Sequence, residues 1–519
     1  MDLMKRNIHM DRVNKKAMVQ ITLEDDINVS DNKPDVNSIC LENGHIVIDE
    51  IKPHTDYANV RGRMIFSVLY HTEEEGSSLV TLEGKIAFDE KINVQGLQST
   101  DMLSVNGTLE DLSVGIINSR KLSVQAVLTL EASVEELYDE EVPVGILGEE
   151  KVEYRKCPME IAQIAICKND IFRIREELSL PSNFPNIFQI LWNTLTLDDV
   201  EFKPMEEKLS IQGELHLFLL YEGEGEEHPV ASYETAVPIS GIIECHGCRD
   251  NMIPDIRFQL GQQELAVRPD LDGEERVVAL DAVMDISMKL YQEESLELLT
   301  DLYGVTKEVR TNTTEGNLRR LLAKVNGKMK AAEHIHIQNR SAGVLQLLHS
   351  EGEVKLEDKQ VTDAGLTLSG YLNVKVLYVT GEDAMPYASV KAQIPYEYTL
   401  DIPGMQPEDI SEVSADMEQL TVTMLDGEEL DVKAVLTFST TVFQNVPVMI
   451  ISDITVSNLD TAHLSELPSM VIYMVQPGDN LWNIGKKYYL PVESLRQLNE
   501  LSGDEVKPGD KLLVVKGGV

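Results

Sequence analysis

The residues whose types and spacing come nearest to chemistry are Cys245-His246-Gly247-Cys248. A C-x-x-C pair can supply two thiolates to a zinc site or act as a redox couple. Zinc needs four ligands, however, and no second pair at ligand spacing lies nearby; Cys157 and Cys167 are distant in sequence. The expectation is a loop with incidental thiols. His334 and His336 share one face of a strand, which is the form of a metal half-site. Their neighbours Ile335 and Ile337 take the inward places that Ile27 and Val29 hold in an earlier copy of the same pattern. Both histidines are therefore expected to face water and to hold no metal. No Gly-x-Ser-x-Gly, P-loop or dinucleotide glycine pattern stands in a convincing context. Paired carboxylates are too common in so acidic a chain to point to glycosidase chemistry. The chain reads as a non-enzyme with no catalytic residue and no cofactor.

The charge balance narrows the partners. A net charge of −43 argues against nucleic acid, whose phosphates need clustered Lys and Arg, and against an anionic membrane surface. Acidic and basic side chains cancel within residues 471–519, so the preceding residues carry the full excess. That tail is a separate module. No run approaches the ~20 apolar residues of a membrane span, and no secretory leader is recognisable at the N-terminus, so a cytoplasmic protein without membrane insertion is expected. Five cysteines in 519 residues fit a reducing compartment.

The elements of the tail are local. Ile472 and Met474, then Leu512 and Val514, alternate with polar or interfacial neighbours as half-buried strands do. Asn480 is a plausible N-cap for a helix carrying Leu481, Ile484 and Tyr488. Pro491 opens a second helix with Val492, Leu495 and Leu498 on one face, and Pro508-Gly509 turns the chain into the closing strand. Leu481, Ile484, Leu495 and Leu498 are expected to form the small core.

This order, together with Tyr473-Met474-Val475-Gln476, Gly478-Asp479, Leu481-Trp482, Asn499, Leu501 and Pro508-Gly509, resembles a LysM domain, a βααβ module. Asn480 stands where Thr is usual, and Gly485 where Ala is usual. The resemblance implies a binding groove between two loops. Here those loops carry Gly478, Asp479, Asn480 and Leu481 on one side and Asn499, Glu500, Leu501 and Val506 on the other. Trp482 belongs either to the core or to a docking face.

The rest of the chain repeats one unit of about 150 residues, too long for a solenoid and suited to a domain array. Residues 25–70 align with 176–221 without a gap, pairing Pro34-Asp35-Val36 with Pro185-Asn186-Ile187 and Leu69-Tyr70 with Leu220-Tyr221. A third copy places Val344 and Leu347 with Ile187 and Ile190, and Leu377-Tyr378 with Leu220-Tyr221. Val60–Tyr70, Leu209–Tyr221 and Leu366–Val379 alternate as strands and predict antiparallel sandwiches or barrels. Gly62, Gly213 and Gly370 hold one strand position where a bulge or close backbone approach excludes a side chain. Pro34–Ile39 and Pro185–Leu191 are expected as short helices.

Tandem repeats of this pattern with one C-terminal LysM resemble the SipL-like spore-coat morphogenesis proteins, which have SPOCS domains. The resemblance implies a mainly β fold with three antiparallel sandwich- or barrel-like SPOCS units at 1–150, 151–312 and 313–454. A linker at 455–470 and the βααβ LysM at 471–519 would follow. It further implies a scaffold in the mother cell, at the forespore surface, whose LysM docks onto a SpoIVA-like coat ATPase or another coat protein. The alternative is a LysM that grips N-acetylglucosamine of peptidoglycan.

Overall fold

The computed structural model describes residues 1–73, 79–148, 151–225, 229–337, 343–382, 385–459 and 470–515. The first unit contains β1 (Asp2–Asn28), β2 (Ser38–His54), β3 (Tyr57–His71), β4 (Leu79–Asn93), β5 (Leu103–Asn118) and β6 (Lys121–Leu147). They form two three-stranded antiparallel sheets, ordered β2-β3-β4 and β1-β6-β5. The inward residues of both, among them Leu23, Val60, Phe66, Phe88, Val124 and Leu128, pack into one core. The second unit repeats this with β7 (Val152–Ser179), β8 (Ile187–Met205), β9 (Lys208–Gly223), β10 (Val230–Glu244), β11 (Ile253–Pro269) and β12 (Glu275–Gly304). The third does so with β13 (Lys307–His336), β14 (Val344–Thr362), β15 (Gly365–Thr380), β16 (Tyr387–Asp401), β17 (Ile410–Met424) and β18 (Glu429–Asn458). The mainly β fold with sandwich units is as the sequence predicts.

The repeated motifs acquire physical causes. The Tyr70 hydroxyl donates to the Pro34 carbonyl at 3.0 Å, and the Tyr221 hydroxyl donates to the Pro185 carbonyl at 3.1 Å. The Pro and Leu-Tyr signatures therefore hold each other. Each repeated glycine faces a carbonyl pushed out by a bulge in the neighbouring strand. A Cβ at Gly62 would lie 2.5 Å from Val47 O, one at Gly213 3.2 Å from Asp198 O, and one at Gly370 2.0 Å from Lys355 O. The two short helices expected at Pro34–Ile39 and Pro185–Leu191 do not form. Pro34–Asn37 and Pro185–Asn186 have no regular structure, and strands begin at Ser38 and Ile187. The backbone is engaged by other segments instead: Val36 N–H donates to Ser119 O and Asn37 N–H to His71 O, both at 2.9 Å, and Asn186 O accepts from Glu224 N–H at 2.8 Å.

The long strands extend past their sandwiches. In each unit the outer half of the first strand pairs only with the outer half of the last; in the first unit Asp2–Val13 runs against Glu135–Leu147. The resulting ribbons leave the sheets at bulges, at Asn14, Ala165 and Leu322. Alternation buries one face of each ribbon against the other two: Ile8, Met10, Val142, Ile161, Leu296, Leu298, Leu318 and Ile450 form one cluster. A second three-way cluster joins the other sheets through Leu41, Leu69, Trp192, Phe218, Leu220 and Leu377. The boundaries expected at 312 and 454 fall inside β13 and β18, because these ribbons run on beyond the sandwich. Of the expected linker 455–470, residues 455–458 complete β18 and 460–469 lie outside the described residues.

At the ribbon junction, one group of charges is nearly closed off from water. Lys289 Nζ meets Asp11 Oδ2 at 2.7 Å and Glu135 Oε2 at 2.8 Å, and Arg319 binds the other Asp11 oxygen and the Asp11 carbonyl. Burial alone would raise the Asp11 carboxyl; the Lys289 hydrogen bond and the Lys289 and Arg319 charges hold it below its usual range. Asp11, Lys289 and Arg319 come from three different units.

Candidate functional site

The C-terminal module comprises β19 (Met470–Met474), α1 (Leu481–Tyr488), α2 (Val492–Leu498) and β20 (Lys511–Val515), with β19 antiparallel to β20. Two matching Pro-Gly-Asp turns frame it. Asp479 accepts from Gln476 N–H at 2.8 Å, and Asp510 accepts from Lys507 N–H at 2.8 Å. Gly478 and Gly509 take φ of +91° and +95°, the left-handed region that favours glycine. Val475, Leu481, Ile484, Leu490, Leu495, Leu512 and Val514 are the core.

The residues expected to bind are brought together, but most have internal work. The Asp479 carboxylate also accepts from the Tyr473 hydroxyl at 2.7 Å, and these bonds, that of Gln476 first, hold its carboxyl below the usual range. Asn480 caps α1, accepting from Asn483 N–H at 2.8 Å. Asn499 acts as a surrogate strand for β20: Nδ2 donates to Leu513 O at 2.9 Å while Oδ1 accepts from Leu513 N–H at 2.6 Å. Leu481 is core, and Leu501 and Val506 pack partly against it. Gly478 and Glu500 are the exposed members. Leu498, expected in the core, is 42% exposed. At the last position of a helix of about two turns it points outward, and Leu501 and Val506 close the core instead.

The apolar surface of the module lies elsewhere. Met470, Ile472 and Met474 are 62%, 70% and 52% exposed on the outer face of β19, with Leu513 and Val515 directly across on β20. Alternation has put Val471, Tyr473, Leu512 and Val514 inward, so this face is the necessary other half of a two-stranded sheet.

Trp482 faces neither solvent nor the module's own core. Its Nε1–H donates to Asp301 Oδ2 at 2.8 Å, its ring meets Tyr303 edge-on at 4.9 Å, and the Arg155 guanidinium lies 4.7 Å from its centroid. Lys486 Nζ reaches Asp301 Oδ1 at 2.6 Å, and the Tyr303 hydroxyl donates to the Leu490 carbonyl at 2.7 Å. Burial tends to raise Asp301, yet the Lys486 and Trp482 bonds hold its carboxyl below the usual range. The module thus sits on the ribbon end of the second unit. Sequence reading missed Arg155, Asp301 and Tyr303 as partners of the tail; the glycine at 485 was the available signal.

The remaining candidates resolve by counterpart. Cys245 and Cys248 are fully buried and bracket a turn in which Cys248 N–H donates to Cys245 O at 3.0 Å. Val94 and Leu97 make the same turn in the first unit at 3.1 Å, and Ile402 and Met405 in the third at 3.5 Å. The thiols are apolar plugs, and burial pushes Cys245 up, away from the reactive thiolate. His334 and His336 point to water beside Glu429, while Ile335 and Ile337 are buried. No group of three or more His, Cys, Asp or Glu side chains is set to hold a metal ion among the described residues. No helix among them is long and apolar enough to cross a membrane.

Comparison with known proteins agrees with this layout. The family model for the SipL SPOCS domain matches three times, at residues 35–117, 186–267 and 343–425, and the LysM domain model matches residues 473–515. The uncharacterized protein YkzQ of Bacillus subtilis (strain 168) is 47% identical over 38 residues, which cover 7% of this chain and 51% of YkzQ. The chain thus spans about half the length of that curated relative. No solved structure matches. Both matched families are non-catalytic binding domains, and the SPOCS family ties the chain to sporulation. With three SPOCS domains followed by one LysM domain, the chain belongs to the SipL-like proteins.

Proposed function

We propose that this protein is a non-enzymatic scaffold of the spore coat, working in the mother cell at the forespore surface, whose LysM docks onto a basal-layer coat protein of the SpoIVA-like ATPase kind. The observation that carries the protein-docking reading is the outer face of β19 and β20. Met470, Ile472, Met474, Leu513 and Val515 make an apolar face that no element among the described residues covers, in a module of fewer than 50 residues. A contiguous exposed apolar patch marks a protein interface far more than a sugar site, which needs convergent polar groups. The polar groups of the two loops are largely spent: Asp479, Asn480 and Asn499 satisfy the module's own backbone and Tyr473. The acidic repeats favour a partner with basic or neutral surface.

The second reading is binding to peptidoglycan N-acetylglucosamine, favoured by the LysM match itself. Two measurements on the full chain separate them: sedimentation with purified peptidoglycan, and binding to a purified SpoIVA-like ATPase. Docking to protein predicts saturable binding to the ATPase and none to the sacculus. The reverse pattern would establish the glycan reading.

A further inference from the structure

The seat of the LysM occurs once among three equivalent places. Counting outward from the terminal bulges of the three ribbons, the cross-strand pair Arg155–Asp301 corresponds to Met4–Gly145 in the first unit and Asn312–Asp453 in the third. Tyr303 corresponds likewise to Leu147 and Thr455. Only the second unit offers a guanidinium for the indole face, a carboxylate for its N–H and a phenol beside it. The module is joined in sequence to the third unit, so chain connection alone does not select this seat.

The module carries the complementary change. A Cβ at Gly485 would lie 2.6 Å from the Tyr303 hydroxyl oxygen and 2.8 Å from the Leu490 carbonyl oxygen that this hydroxyl binds. Gly485 stands where the LysM pattern usually has alanine, so the departure falls at the point where Tyr303 enters. The second unit differs from its sister units, and the module from the usual pattern, on the two surfaces that touch. The contact is a matched pair of surfaces.

We propose that the helix face of the LysM is a cis-binding site for the second unit, a latch that fixes the direction of the module and withholds Trp482 from outside partners. Asp301 is its centre, because one carboxylate joins the indole N–H and the Lys486 ammonium. With the latch closed, the apolar face of β19 and β20 remains uncovered by any of the described residues. An outside protein could take the Trp482 face only by displacing the second unit with the same chemistry, a carboxylate flanked by an aromatic ring and a cation. The withholding of Trp482 rests on the docking function proposed above; the latch itself does not.

Trp192 and Trp482 are the two tryptophans, so a Trp192→Phe background leaves Trp482 as the only indole reporter. In the full chain, Lys486→Glu sets two carboxylates against each other, and Asp301→Ala removes the shared acceptor. Lys486 projects from the surface of α1, so its replacement spares the module's core. Both variants should shift Trp482 emission to longer wavelength and raise acrylamide quenching severalfold, and Asp301→Lys combined with Lys486→Glu should recover part of the shielding. If Trp482 stays shielded in both single variants, or is freely quenched in the Trp192→Phe chain, the latch is refuted. The readout involves no partner, so that failure would leave the docking function standing.

Discussion

The two seams of this protein use the same kinds of group to opposite ends. At the ribbon junction Asp11, Lys289 and Arg319 are nearly closed off from water, with side chains 10%, 13% and 8% exposed. At the LysM seat, Asp301 and Lys486 are 32% and 44% exposed. A buried charge that loses its partner cannot rehydrate, whereas a half-exposed one can. The inner seam therefore decides whether the three units hold together, and the outer one decides only where the module points. Both lie where the repetition is broken. Asp11, Ala162 and Arg319 occupy one position in three copies, each three residues before a bulge. The repeat builds the body, and departures from it choose partners.

Breaking the inner seam should have the largest effect. Asp11→Ala leaves Arg319 buried without its carboxylate and Lys289 with Glu135 alone, and should cost about 3–5 kcal/mol, the range for one partner lost from a buried pair. Denaturant unfolding measures it, and a loss below about 1 kcal/mol, typical of surface pairs, would make the two seams alike. The bulge glycines come next. Gly213→Val should destabilise by about 1–3 kcal/mol. Gly370→Val should cost more, because its Cβ meets a backbone oxygen at 2.0 Å where that at Gly213 has 3.2 Å. Equal melting transitions for the two would contradict the bulge geometry.

Acid should act first at the second three-way cluster. His349 stacks on Phe218 of another unit at 3.8 Å, and neither ring nitrogen has a hydrogen-bond partner among the described residues. Burial, and then the nearby Lys375 charge, push its pKa down from 6.5 to about 4. The unfolded chain therefore takes up the proton first, so stability is full above pH 6.5 and falls as pH drops toward about 4. Asp11, also lowered, loses its contribution only further down, below its unfolded value of 3.8. His349→Phe should flatten the upper window of the stability profile and leave the lower one. The smallest effect belongs to the outer seam: Lys486→Ala should weaken seating of the module by about 0.2–1 kcal/mol, read as partial exposure of Trp482, with the melting of the repeats unchanged.

What could be read from the sequence was what is local or repeated. Strand alternation located β3, β9 and β15, the glycines announced their bulges, and the βααβ order of the tail stood in its own residues. Counterpart positions also place Cys245 and Cys248 in a turn that the sister units build with Val94 and Leu97 or Ile402 and Met405. What escaped was what covers an inward face. Ile8, Met10, Ile161 and Leu318 alternate like any half-buried strand, and nothing local says that their cover is another unit. Trp482 was ambiguous for the same reason: an apolar residue on a short helix declares burial without declaring by what. Of the loop residues, Asp479, Asn480 and Asn499 were identified by place, and their hydrogen bonds to the module's own backbone became visible only with the fold.

The most direct test of the docking function is binding of the full chain to a purified SpoIVA-like coat ATPase, with Ile472→Asp as the comparison. Ile472 is 70% exposed on the open face, so the charge should leave the module folded. Docking through that face predicts saturable binding weakened at least tenfold by Ile472→Asp, about 1.4 kcal/mol or more. Undiminished affinity in the folded variant, or no binding by the unaltered chain together with co-sedimentation on peptidoglycan, would contradict it.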